Sequence, residues 1–270
     1  MIVNRNLLSP GGNLIYPTGY APGFDPTHVA AFSPYFSAVA SGKCFVNLLT
    51  GAKGTNSGSP TGPVDGSIGS TTAYSWTINT QFAGMPQPSS NNFTIAAVFM
   101  LTATPTATNT ILSTGATTAN QIPVLGVSAT SHFLLGPFVN ASLSVFTAAI
   151  NTPYFVAYTT YPSLGSHGQA RLVITNLLTG QVTVEQVAFS NTLSIVPEAT
   201  YYVGNLTTTR PFLGRIAAVM FTGATVPQIA MSKWATDPWS FWYPRSKQRS
   251  VLYAAAAARV RRSFGTIIGV

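Results

Sequence analysis

The chain has 270 residues, 46% of them hydrophobic and only 7% charged. Charged residues usually make up about a quarter of a domain, so this composition excludes a disordered chain and describes a folded body, one large domain with appendages or two small ones, whose charge-poor surface is expected to be covered by neighbours. The net charge of +8 is segregated: residues 1–232 hold six Lys/Arg and four acids (+2) and residues 233–270 hold seven and one (+6), the pattern of a near-neutral body with a cationic interaction tail.

The opening residues MIVNRNLLSPGGN lack the apolar stretch of a signal peptide. No apolar run approaches the ~20 residues that span a bilayer. Synthesis in the cytoplasm without membrane contact is therefore expected. Residues 1–43 carry Pro10, Pro17, Pro22, Pro26 and Pro34 with several glycines, and read as an extended N-terminal arm with turns rather than a core element. The single cysteine, Cys44, excludes an intrachain disulfide and a cysteine-based metal cluster, and is expected to be a reduced thiol.

From Cys44 the texture changes. Short apolar or alternating runs recur between Gly, Pro, Asn and Thr clusters. They predict strands at 44–49, 74–78, 93–101, 122–127, 133–138, 143–146, 154–158, 171–176, 181–189, 201–203 and 215–221. Closely spaced short strands with turn signals between them are the pattern of a sandwich or barrel. Phe93–Leu101 is almost continuously apolar, as in a strand buried on both faces. The runs on either side of Leu177-Leu-Thr-Gly180 read as a hairpin. In Arg215–Phe221, strict alternation puts Ile216, Ala218 and Met220 on one face and Ala217, Val219 and Phe221 on the other, both apolar. Gly214 just before it permits a close backbone approach or a bulge. Helix is expected only after this point. Pro227 suits the first turn of a helix to about Thr236, which Asp237-Pro238 stops. An aromatic segment, Trp239-Ser-Phe-Trp-Tyr-Pro244, follows, and Ala254–Ala258 favours a second helix.

Residues 47–221 resemble, in the order of their segments, the laminin-G-like, concanavalin A-like jelly-roll family. The resemblance rests on Asn47-Leu-Leu-Thr-Gly51, Gly54-Thr55, Gly58, Val64-Asp-Gly66 and Gly69 as a glycine-rich lead-in, and on Phe93-Thr-Ile95 opening a long strand. Its closing stretch is Tyr202-Val-Gly204, then Pro211-Phe-Leu-Gly-Arg-Ile-Ala217 with Val219 and Phe221. It covers about two thirds of the chain. The implied fold is all-β, a two-sheet antiparallel jelly-roll β-sandwich over residues 44–226, with the arm at 1–43 and a short helical, basic C-terminal tail at 227–270. A narrower resemblance, in Gly23-Phe-Asp-Pro-Thr-His28 and Asp237-Pro-Trp-Ser-Phe-Trp-Tyr-Pro-Arg245, is to bacteriophage and prophage virion proteins that carry this domain. It implies a structural component on a particle surface, such as a capsid decoration, head fibre or tail-associated subunit. Other virion proteins would then be its partners, with copies of itself in a homo-oligomer.

Groups able to carry chemistry are few and scattered. The five acids, Asp25, Asp65, Glu185, Glu198 and Asp237, lie far apart in sequence. Jelly-roll glycosidases place two carboxylates across the scissile bond, and no such pair is legible. His28, His132 and His167 form no metal-ligand spacing. No G-x-S-x-G elbow or phosphate loop occurs. Calcium, which many laminin-G-like domains bind, takes about six to eight oxygen ligands, and Asp65 is the only acid of the matching early region. No catalytic residue, metal site or cofactor is expected.

Two binding surfaces remain. Tyr74, Trp76, Tyr158 and Tyr161 are candidates to stack on the sugar rings of a host surface glycan if they are exposed. In the tail, Trp239, Phe241, Trp242 and Tyr243 precede six cations, among them Arg245, Arg249, Arg259, Arg261 and Arg262. Buried aromatics and Arg are the usual anchors of protein interfaces. Docking on another virion protein is therefore favoured over contact with nucleic acid, for which the neutral body offers no continuing basic groove.

Overall fold

A computed structural model describes residues 29–35, 44–47, 55–57, 64–69, 71–76, 81–85, 93–114, 122–136, 142–161, 164, 167–189, 201–204, 212–222, 224–236 and 238. Among these, sixteen strands precede one helix. The first strands are β1 (Val29–Tyr35), β2 (Cys44–Asn47), β3 (Thr55–Ser57), β4 (Val64–Ile68), β5 (Thr71–Trp76) and β6 (Gln81–Met85). The middle ones are β7 (Thr94–Leu101), β8 (Asn109–Thr114), β9 (Ile122–Val127), β10 (His132–Leu135) and β11 (Ser142–Thr147). The last are β12 (Pro153–Tyr161), β13 (Gln169–Asn176), β14 (Val182–Ala188), β15 (Tyr201–Gly204) and β16 (Gly214–Thr222), followed by α1 (Gln228–Thr236).

The strands form two antiparallel sheets, an all-β sandwich of the jelly-roll kind. A nine-stranded sheet runs β14-β13-β12-β7-β16-β1-β2, with the β4–β5 hairpin added through β5 to β16. A seven-stranded sheet runs β11-β10-β9-β8-β15-β6-β3. The main core lies between them and is rich in aromatics. Phe99 is ringed by Phe133, Tyr154 and Phe212, and Phe93 packs on Tyr158 and Phe221. A second core covers the outer face of the large sheet, where Ala96, Val98, Phe155, Ala157, Val173 and Met220 meet Met231, Trp234 and Ala235 of α1.

The central strand β7 is thus buried on both faces, with Ile95, Ala97, Phe99 and Leu101 inward and Ala96 and Val98 outward. That is why its sequence lacks the polar alternation of a half-exposed strand. The β13–β14 hairpin also forms as expected. Asn176 Oδ1 accepts the N–H groups of Leu178 and Thr179 at 2.9 and 3.3 Å, and Gly180 adopts φ +72°, a conformation for which glycine carries no steric penalty. The carbonyl of Pro227 accepts N–H bonds from Ala230 and Met231, so the proline opens the helix where expected. Buried threonines fix that entry: the Thr94 hydroxyl donates to the Ala224 carbonyl at 2.8 Å, and Thr94 and Thr159 share the Val226 N–H at 3.0 and 3.1 Å.

Three expectations change. Part of the segment read as an arm is a strand: β1 pairs with β16 from Val29↔Thr222 to Phe32↔Val219 and with β2 from Phe32↔Asn47 to Tyr35↔Cys44. The proline signal misled because the ladder to β16 ends at Phe32, short of Pro34. On β16 the strict alternation fails. A register shift between Ile216 and Ala218 puts Ala217 and Ala218 together on the outer face, while Ile216 joins Val219 and Phe221 inside. Gly214 is instead the close approach, since a Cβ there would collide with the Met100 carbonyl oxygen. Finally, β3, β4, β6 and β8 are strands that the turn-rich composition of their segments concealed.

Candidate functional site

Along β13, side chains alternate between the two faces. Ala170, Leu172 and Ile174 point into the main core, and Val173 points outward beneath α1. Gln169, Arg171 and Thr175 share the outward parity of Val173. Helix α1 covers one end of this outer face, where the Thr175 hydroxyl donates to the Ala235 carbonyl at 3.0 Å. At the other end the outer face carries a polar cluster. The register sets Tyr161 opposite Gln169 and Gln186 opposite Arg171.

Within the cluster, Arg171 lies over the ring of half-buried Tyr161, its Cζ 5.0 Å from the ring centroid. Such a stack holds a guanidinium in one orientation and is worth about 0.5–1 kcal/mol at an exposed site. Gln186 Nε2 donates to Gln169 Oε1 at 2.7 Å. Among the described residues no carboxylate pairs with Arg171. His167 and Leu164, in the β12–β13 connection, are exposed beside it. The arrangement offers a fixed cation, a ring edge and two amides able both to donate and to accept. These are the groups that recognise hydroxyls and a carboxylate.

Tyr161 is thus the one sugar-stacking candidate that the structure places on this face. Tyr158 is corrected: it is fully buried, its hydroxyl donates to the Gly136 carbonyl at 2.9 Å, and its ring meets Phe93 edge-on at 5.8 Å. Its inward parity on β12 leaves no face for a sugar. Tyr74 and Trp76 sit on β5, opposite Ile216 and Gly214 of β16, and their side chains lie outside the described residues. So do all the tail candidates, Trp239, Phe241, Trp242, Tyr243, Arg245, Arg249, Arg259, Arg261 and Arg262.

The other polar groups are scattered. Glu185 Oε2 accepts the backbone N–H of Val145 at 3.1 Å. His132, at the start of β10, keeps a buried Nδ1 without a hydrogen-bond partner among the described residues. Among the described residues no group of three His, Cys, Asp or Glu is placed to hold a metal ion, and no helix is long and apolar enough to cross a membrane. Sequence reasoning passed over Arg171, Gln169 and Gln186. The available signal was a cation at an outward position in a body of only +2 charge.

No family model and no curated protein matches the chain. Solved structures do resemble it. Trypanosoma rangeli sialidase superposes with TM-score 0.54 at 13% identity, over 86% of this chain and 36% of the sialidase. The same enzyme in complex with sialic acid gives 0.53 at 12% identity, over 86% and 36%. The enzymatically active domain of Bacteriophage CBA120 tailspike protein 2 overlaps more loosely, with TM-score 0.47 at 15% identity, over 67% and 30%. At these identities the likeness to the sialidase is one of fold alone, and the chain spans little more than a third of that enzyme's length.

Proposed function

We propose that this chain is a non-enzymatic carbohydrate-binding β-sandwich that takes acidic glycans on the outer face of its large sheet. The observation that carries this reading is Arg171, a cation stacked on Tyr161, flanked by Gln169 and Gln186 and without a carboxylate partner among the described residues. A guanidinium held in this way pairs with a sugar carboxylate through two parallel hydrogen bonds, and the amides bond to neighbouring hydroxyls. The occurrence of the fold within a sialidase that binds sialic acid is compatible with such a ligand. The non-enzymatic part of the reading rests on the sequence, in which the five acids lie far apart and form no legible catalytic pair.

The test is a glycan array probed with the full chain, carrying sialylated, uronic acid and neutral sugars. Binding to acidic glycans is expected, weakening with salt and falling at least about tenfold, or 1.4 kcal/mol, in Arg171→Gln. Binding that ignores this substitution, or no binding at all, overturns the site. Release of sugar product from a bound glycan overturns the non-enzymatic reading.

A second reading is favoured by the segregation of charge, +2 in residues 1–232 against +6 in residues 233–270. In it the chain is a structural subunit on the surface of a bacteriophage-type particle, made in the host cytoplasm, and Trp239–Arg262 docks it on a neighbouring virion protein. Deleting residues 246–270 is then expected to leave a folded sandwich that no longer joins the particle, as measured by subunit per purified particle. Normal incorporation of the truncated chain removes the tail as the anchor.

A further inference from the structure

We propose that two copies of this chain associate by pairing β14 antiparallel with β14 of the second copy, joining their large sheets into one. The inference is independent of what the outer face binds. β14 ends the large sheet, and β13 is its only ladder partner among the described residues. Its register is unbroken from Gln169↔Ala188 to Thr175↔Val182. At one end of this hairpin the Asn176 N–H donates to the Gln181 carbonyl, and at the other the Phe189 N–H donates to the Gly168 carbonyl. Bonded and non-bonded pairs alternate along an antiparallel ladder. The odd-numbered residues of β14 therefore bond to β13, and Val182, Val184 and Gln186 turn their N–H and C=O groups outward. Nothing among the described residues takes those groups.

Proteins guard exposed edges with lysine, proline, bulges or charges aimed along the edge. Val182-Thr-Val-Glu-Gln-Val-Ala188 has no lysine, proline or bulge. Its one charge, Glu185, is spent on the Val145 N–H of β11, the end strand of the other sheet. That contact occupies a donor of β11 and leaves the outward backbone groups of Val182, Val184 and Gln186 without a partner among the described residues. Val182 and Val184 remain 38% and 44% exposed on the same strand.

A second copy is the fitting occupant because the strand complements itself. A twofold axis through Val184 sets Val184 against Val184 of the second copy and Val182 against its Gln186. Outward groups then meet outward groups, and Glu185 faces Thr183 of the second copy rather than another carboxylate. The neighbouring register, centred on Glu185, would oppose like charges directly, which is destabilising. A body of only +2 puts little charge between the copies. Such a contact is isologous and closes as a dimer.

The experiment measures the mass of the full chain by light scattering and sedimentation across a concentration series. A dimer is expected. Val184→Pro removes an outward N–H without touching the bonds of Thr183 and Glu185 to β13, and should yield a monomer with an unchanged circular dichroism spectrum. Val184→Cys supplies a readout that does not depend on tolerating proline. The two Cα atoms of a bonded pair stand about 5.5 Å apart, inside the disulfide range of about 4.4–6.8 Å, so mild oxidation should give a covalent dimer. Val182→Cys should not cross-link, because its own counterpart lies about four residues, or ~14 Å, along the strand. The parent chain with Cys44 is oxidised in parallel. A parent chain that stays monomeric overturns the proposal. So does a dimer that survives Val184→Pro, or one in which Val184→Cys cross-links no better than Val182→Cys.

Discussion

The outer face of β12 and β13 has two halves with opposite chemistry. Under α1 it carries Phe155, Ala157 and Val173 against Met231, Trp234 and Ala235. Beyond the helix it carries Tyr161, Gln169 and Arg171. The same two strands build both halves, and the same inner face, Tyr154, Val156, Tyr158, Ala170, Leu172 and Ile174, lies beneath them. The inner face therefore holds the strands in place along their whole length. One half of the outer face adds stability by excluding water, and the other is left to interact. Loops commonly carry recognition, but here it would sit on strands pinned from behind, where side chains are held more rigidly.

If that division is right, the halves respond differently to substitution. The largest effect is expected under the helix. Trp234 is among the largest fully buried side chains, and Trp234→Ala should cost about 3–5 kcal/mol, read from the midpoint of denaturant unfolding. A loss below about 1 kcal/mol would mean that α1 rests on the sheet without stabilising it. A smaller effect is expected at the edge of the same half. Thr175→Val removes the hydroxyl that satisfies the Ala235 carbonyl near the end of α1 and should cost about 1 kcal/mol. An unchanged midpoint would show that solvent takes over that carbonyl and that the covered half ends before Thr175.

Most of the covered architecture was legible in the sequence, for a physical reason. Two-sided burial makes β7 and β16 almost continuously apolar, and a proline before a run ended by Asp237-Pro238 delimits α1. What escaped depends on pairing rather than composition. The bulge at Ala217 reverses the facing of Ile216, and no residue type there announces it. β1 is recruited by the free side of β16, so its single proline, Pro34, and the prolines before it made the segment read as a loop. In the candidate site, Tyr161 was legible only as an aromatic beyond the strand expected at 154–158, and Tyr158 was misjudged with it because three residues along a strand reverse the facing. Arg171 was passed over because its value comes from neighbours on other strands.

The smallest effect sharpens the comparison most. Arg171 lies on the open half, with its guanidinium against the Tyr161 ring and no carboxylate partner among the described residues. An exposed cation–π contact contributes about 0.5–1 kcal/mol, and Arg171 has the outward parity of Val173, away from the main core. Arg171→Gln should therefore shift the unfolding free energy by no more than about 1 kcal/mol while abolishing most of the affinity for acidic glycans. Stability and binding would then separate on one strand within a few residues, Val173 serving the first and Arg171 the second. Denaturant unfolding and glycan titration of the same preparation decide it. A loss well above 1 kcal/mol would make Arg171 a structural clamp on β12, and the outer face would then be a single stabilising surface rather than two halves with separate work.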